Sequence, residues 1–151
     1  MLNKVICVCD RKDALTFEIA AQYIKKNIKS KNYSVLVPSI EIEYFTSLNL
    51  EGFNVISEDK YAYIADALSQ KYSGKRYGWY FQQFIKIAEL DDGSPEDINL
   101  IWDADTIPLR ELSFEKNNYL HFYQSKEAHV PYFDLIKKLR SCPPGKSHEN
   151  L

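Results

Sequence analysis

Short apolar runs rich in β-formers alternate with longer segments of helical period along this chain, and that alternation restricts its folds more than any other feature. Val5-Ile6-Cys7-Val8-Cys9, Tyr33-Ser34-Val35-Leu36-Val37, Phe53-Asn54-Val55-Ile56 and residues 98–102 read as buried strands. Between them, residues 13–30 place Leu15, Ile19, Tyr23, Ile24 and Ile28 on one stripe, with Lys25, Lys26 and Lys29 outside it. Ser39 is positioned to cap a helix carrying Ile40, Tyr44, Phe45 and Leu48. Tyr61, Ile64, Ala65, Leu68 and Tyr72 again follow helical spacing. A turn-forming loop over 73–78 then leads into a strongly apolar helix over 79–90. A fifth strand is expected over 119–123 and a last helix from Pro131, holding Phe133, Ile136 and Leu139. This order predicts an α/β fold, a mostly parallel sheet with helices on both faces. Ligands of such sheets sit beyond the carboxyl ends of the strands, which here carry Asp10, Asp13, Ser39, Glu58, Asp59, Asp103 and Asp105.

A chain of 151 residues suits one domain, expected over 1–140, with the aperiodic segment 141–151 and its Pro143-Pro144-Gly145 as a flexible tail. At 45% hydrophobic and 26% charged residues, with 5 Gly and 6 Pro, disordered and collagen-like classes are excluded. Nineteen basic residues nearly balance 21 acidic ones, so the net charge of -2 argues against a nucleic-acid-coating protein. Cys7, Cys9 and Cys142 are too few for a disulfide framework, and no signal or spanning segment can be drawn; the expectation is a reduced, cytoplasmic chain. Cys7 and Cys9 share a face of the first strand and read as small core residues rather than a metal pair.

The strongest chemical signal is Ile101-Trp102-Asp103-Ala104-Asp105-Thr106. An apolar strand runs out into two aspartates two residues apart, which point to one side while the chain stays extended. Carboxylates that close repel unless a cation lies between them, and hard oxygen ligands suit Mg²⁺ or Mn²⁺ bridged to a phosphorylated ligand. The ordinary alternative is a solvated turn. The second signal is the helix Gly78-Trp79-Tyr80-Phe81-Gln82-Gln83-Phe84-Ile85-Lys86, whose Gln82, Gln83 and Lys86 form one polar stripe. The stripe faces either a polar cavity, where Lys86 meets phosphate or one of the aspartates, or bulk solvent.

Together these two segments resemble a bacterial family of GT-A-type glycosyltransferases, uncharacterised or of capsule and lipopolysaccharide type. The family pattern is similar to Gly-Trp-Tyr-x-Gln-Gln-x-x-Lys followed by an apolar strand ending in Asp-x-Asp-Thr. His129-Val130-Pro131-Tyr132-Phe133 resembles a segment downstream of it. The resemblance implies a GT-A-like (Rossmann-like) domain and a nucleotide-diphospho-sugar donor. It also implies metal ligation by Asp103 and Asp105, with Lys86, Gln82, Gln83, Asp103 and Asp13 at the donor. A saccharide or lipid-linked acceptor would complete the reaction, with a peripheral place at the inner face of the membrane left open. No catalytic residue is assigned.

Family members carry more chain after their Asp-x-Asp than the segment from Thr106 to Leu151 supplies. The expectation is therefore a domain incomplete at its C-terminus, with self-association or a partner chain covering the missing half. A truncated, catalytically weak nucleotide-binding or partner protein is the rival reading. A haloacid-dehalogenase-like phosphatase is a weaker one, because Ile107 stands where that motif has Thr or Val. His121, expected half-buried in a strand, and His129, His148, Lys75 and Arg76 carry no specific signal. The chain has no Gly-rich phosphate loop.

Overall fold

The computed structural model describes residues 1–90, 94, 96–116, 119–121 and 130–141. The chain divides into two compact units, Met1–His121 and Phe122–Leu151. In the first, four parallel strands, β1 (Leu2–Val8), β2 (Ser30–Val37), β3 (Asn54–Ser57) and β4 (Asn99–Ile101), form a sheet in the order β3-β2-β1-β4. Register is continuous across the centre: Val5 of β1 lies beside Tyr33 of β2 and Leu100 of β4. The chain thus builds outward from β1 on one side, then returns to add β4 on the other.

Alternation along the strands sends side chains into two apolar layers. Val5, Cys7, Val35 and Val37 pack beneath α1 (Ala14–Asn27) and α2 (Ile42–Ser47). Ile6 and Leu36 face the opposite layer, made by α3 (Ala62–Ser69) and α4 (Gly74–Leu90) with Leu68, Phe81 and Ile85. Helices therefore cover both faces of a parallel α/β sheet. Among the described residues no helix is long and apolar enough to cross a membrane.

Several local expectations are corrected. The buried face of α1 is Ala14, Phe17, Ala20, Ala21 and Ile24, while Leu15, Ile19 and Tyr23 face outward. Small alanines let the helix lie close to the sheet, and the larger residues cannot share that seam. Ser39 caps nothing: it opens a 3-10 turn, Ser39–Glu41, whose first residue follows Pro38, and α2 begins only at Ile42. Most of the expected 73–78 loop is helix, because α4 starts at Gly74, whose φ of 59° suits glycine. Tyr119–Leu120 joins no main-sheet strand; as β6 it pairs antiparallel with β5 (Glu115–Lys116). His121, beyond that surface ribbon, is exposed. Phe122, Tyr123, His129, Cys142 and His148 lie outside the described residues. In the second unit α5 spans Val130–Ser141, one residue ahead of the expected start.

Of the buried polar side chains among the described residues, one is an acid. Glu89 near the end of α4 is 2% exposed and accepts from Lys4 Nζ at 2.8 Å, from Lys60 Nζ at 3.0 Å and from the Tyr61 hydroxyl. Burial alone would raise its carboxyl, but the bonds from Lys4, Tyr61 and Lys60 outweigh it and hold the group below the ordinary value. The Tyr61 hydroxyl, buried and bonded to that carboxylate, is pushed up to about 12.

Candidate functional site

A cleft of about 330 Å³ opens beyond the carboxyl ends of β1 and β4, lined by Val8, Asp10, Lys12 and Asp13, by Trp79, Gln82, Gln83 and Lys86, and by Asp103, Ala104 and Asp105. Its position follows from topology. β1 and β4 are parallel neighbours, so the turns that follow them lie side by side at the carboxyl edge of the sheet, where ligands of parallel α/β sheets bind. A larger groove of about 430 Å³ runs over residues 45–55. It lies away from the strand exits and holds one ionisable side chain, Glu51, so the smaller cleft is the better candidate.

From β1, the chain leaves through Asp10 into a 3-10 turn, Arg11–Asp13, closed by the Asp13 amide donating to the Asp10 carbonyl at 3.0 Å. Arg11 is turned away from the cleft. Its Nη1 bonds Glu41 Oε2 at 2.7 Å and its guanidinium lies 3.1 Å from the centre of the Tyr44 ring. That clamp ties the β1 exit to the start of α2 and leaves Lys12 as the turn's cation in the cleft.

From β4, the chain does not remain extended. The strand ends at Ile101, and residues 103–106 form a turn in which the Thr106 amide donates to the Asp103 carbonyl at 3.1 Å. Trp102 Nε1 donates to the Thr106 carbonyl at 2.8 Å and braces the same turn. Ala104 is buried in the α1-side core, so its small side chain pins the turn inward and both aspartates emerge on the outside. Asp103 and Asp105 thus share the cleft through an anchored turn rather than through strand alternation.

The polar stripe of α4 faces this cleft. Lys86, 8% exposed, donates through Nζ to Asp103 Oδ1 at 2.8 Å. Of the two expected roles for Lys86, pairing with an aspartate is the one present. Among the described residues no hydrogen bond or ion pair engages Asp105. The lining places four carboxylates, Asp10, Asp13, Asp103 and Asp105, against two ammonium groups, Lys12 and Lys86.

That excess of negative charge is felt below the cleft floor. The Cys9 thiol is pushed up to about 12, first by burial and then by Asp13, Asp10 and Asp105. Cys7 is raised as well, first by burial and then by Cys9. Both are packed in the α1-side core as protonated thiols. Glu58 is raised by burial, by Asp59 and by Asp10, but neither Glu58 nor Asp59 lines the cleft. Lys75 and Arg76 are exposed in the first turn of α4 and do not line it either.

Trp79 and Lys12 line the cleft although the sequence does not single them out. Trp79 stands three residues before Gln82 and seven before Lys86, so helical spacing could have found it. Lys12 had no periodic signal, since only the tight turn after Asp10 decides that it, and not Arg11, enters the cleft. Comparison of the chain with protein-family models, with curated proteins and with solved structures yields no match.

Proposed function

We propose that the cleft is the donor site of a GT-A-like glycosyltransferase that takes its sugar from a nucleotide-diphospho-sugar and passes it to a saccharide or lipid-linked acceptor. The observation that carries this reading is the meeting of Asp103 and Asp105 with a buried Lys86 at the sheet's switch point. These are the residue types that hold a diphosphate and its counter-charge. Among the described residues no group of three or more His, Cys, Asp and Glu side chains could hold a metal ion by itself. Two outward-facing carboxylates on one turn nevertheless fit Mg²⁺ or Mn²⁺ in the form in which such ions bind phosphorylated ligands, with one or two carboxylates and with phosphate oxygens completing the shell. Asp103 and Asp105 would hold the ion, which supplies charge neutralisation at the leaving diphosphate.

In the transfer, the bond between the sugar's anomeric carbon and the diphosphate breaks, the acceptor hydroxyl oxygen bonds that carbon, and the hydroxyl proton is released to solvent. Negative charge grows on the leaving diphosphate, and Lys86 and Lys12 are the protein cations placed to stabilise it. Gln82 and Gln83, whose amides both donate and accept, orient the donor beside them. Asp13 at the β1 exit is placed to accept from a donor hydroxyl. Titration calorimetry with UDP, GDP and CDP, each with and without Mn²⁺, tests the reading. One nucleotide should bind more tightly with the metal. Equal binding without metal, or no binding of any of the three, overturns it.

A further inference from the structure

Lys86 is a cation held in place by the fold. Its side chain is 10% exposed, whereas that of its partner Asp103 is 67% exposed, so the ammonium belongs to the helix–sheet packing and the carboxylate to the cleft. The ammonium has three N–H donors. Asp103 takes one, and among the described residues no other hydrogen bond engages Lys86. The remaining donors are therefore available to a further acceptor entering the cleft.

The charges around it oppose each prospective ligand taken singly. A divalent cation arriving alone finds Asp103 already neutralised, and to use that carboxylate it must sit beside a buried positive charge. A diphosphate arriving alone meets four carboxylates and only two ammonium groups. Each ligand removes what repels the other: the anion occupies Lys86, and the cation offsets Asp103 and Asp105.

We infer that Lys86 couples the two ligands of the cleft: it guards Asp103 against a lone divalent cation and turns to a diphosphate oxygen when cation and diphosphate enter together. The inference rests on the donor-site reading above and adds to it a specific role for one residue, that of making the unfilled cleft a poor metal site. Neutralising Lys86 must then have opposite effects on the two ligands. Loss of a nearby charge in a partly solvated site is worth about tenfold in affinity in each direction.

The experiment uses the full chain, MnCl₂ and inorganic pyrophosphate, with free Mn²⁺ followed by electron paramagnetic resonance. Lys86→Met, which keeps the apolar stem, should bind Mn²⁺ alone about tenfold more tightly than wild type and the preformed Mn²⁺–pyrophosphate complex about tenfold more weakly. Lys86→Arg, which keeps the charge, should bind Mn²⁺ alone as weakly as wild type does. Unchanged Mn²⁺ affinity in Lys86→Met overturns the coupling. So does a wild-type protein that holds Mn²⁺ alone as tightly as it holds the pyrophosphate complex, a result that needs no variant to fold. Metal-strengthened nucleotide binding in wild type together with either of these results would sink the coupling and leave the donor site standing. Absence of all nucleotide binding would remove the donor site itself.

Discussion

Asp105 and Glu89 are both acidic, yet their surroundings give them opposite standing in the molecule. Asp105 is exposed on the turn after β4, and Ala104 rather than Asp105 anchors that turn. Asp105→Asn should therefore change the unfolding free energy by less than about 0.5 kcal/mol while abolishing most of the metal enhancement of nucleotide binding. Urea melts beside calorimetry check both halves. Glu89 instead compensates Lys4 and Lys60 from inside the fold. Glu89→Gln leaves those ammoniums without their counter-charge and should cost about 3 kcal/mol, the low end for a broken buried pair because both lysines retain some solvent. Its pH signature follows from the depressed carboxyl. A folded-state value below the ordinary 4.5 means that Glu89 stabilises fully above that pH and loses its contribution as pH falls through the folded value. Glu58, raised by burial, has the opposite sign: its contribution is greatest at low pH and declines as pH rises through its folded value. Thermal melts between pH 3 and 7 should show Glu89→Gln with a shallower loss on acidification than wild type. An unchanged slope would mean that the network around Glu89 carries no differential proton binding.

Helix α1 shows where periodicity informs and where it misleads. Its extent was legible to within a few residues, because the lysines on one side and apolar residues on the other require a helix. The identity of the buried side was not. Leu15, Ile19 and Tyr23 have the larger hydrophobic side chains, but Phe17, Ala20, Ala21 and Ile24 make the seam against β1 and β2, where close approach favours alanine. Leu15→Gln and Ile19→Gln should each shift stability by less than about 0.5 kcal/mol. Ala20→Leu should cost about 1–3 kcal/mol by overpacking, and Phe17→Ala about 3–5 kcal/mol by leaving a cavity. Denaturant midpoints of the four variants would reverse this order if the stripe read from side-chain size alone were the buried one. In α4 spacing alone leaves the stripe of Gln82, Gln83 and Lys86 facing either a cavity or bulk solvent, and it is the packing of α4 on the sheet that brings the three to the cleft. Spacing failed at Gly74, where Gly-Lys-Arg-Tyr-Gly read as a loop although tertiary packing of Tyr77 and Phe81 extends the helix through it. Strand alternation predicts a shared side for Asp103 and Asp105 only while the chain stays extended; they reach the cleft instead through a turn that no spacing rule specifies.

At the scale of the whole sheet, strand order makes one prediction that no single residue makes. With β1 and β4 side by side, a ligand in the cleft beyond them touches segments far apart in sequence: the turn after β1, the turn after β4 and the cleft face of α4. A ligand in the larger groove would instead touch one continuous stretch, residues 45–55. Hydrogen exchange read by mass spectrometry distinguishes these outcomes without knowledge of the sugar or the acceptor. Saturating Mn²⁺ with whichever nucleoside diphosphate binds should slow amide exchange at residues 10–13, 79–86 and 103–106 together. The exposed turn at Glu51 and Gly52, both at positive φ, should exchange as before. Protection of all three distant segments at once requires a ligand spanning the β1–β4 crevice, because none of them adjoins another in the chain. Protection confined to 45–55 would move the binding site to the α2–β3 groove and leave the pairing of Lys86 with Asp103 as a structural ion pair at the rim of the sheet.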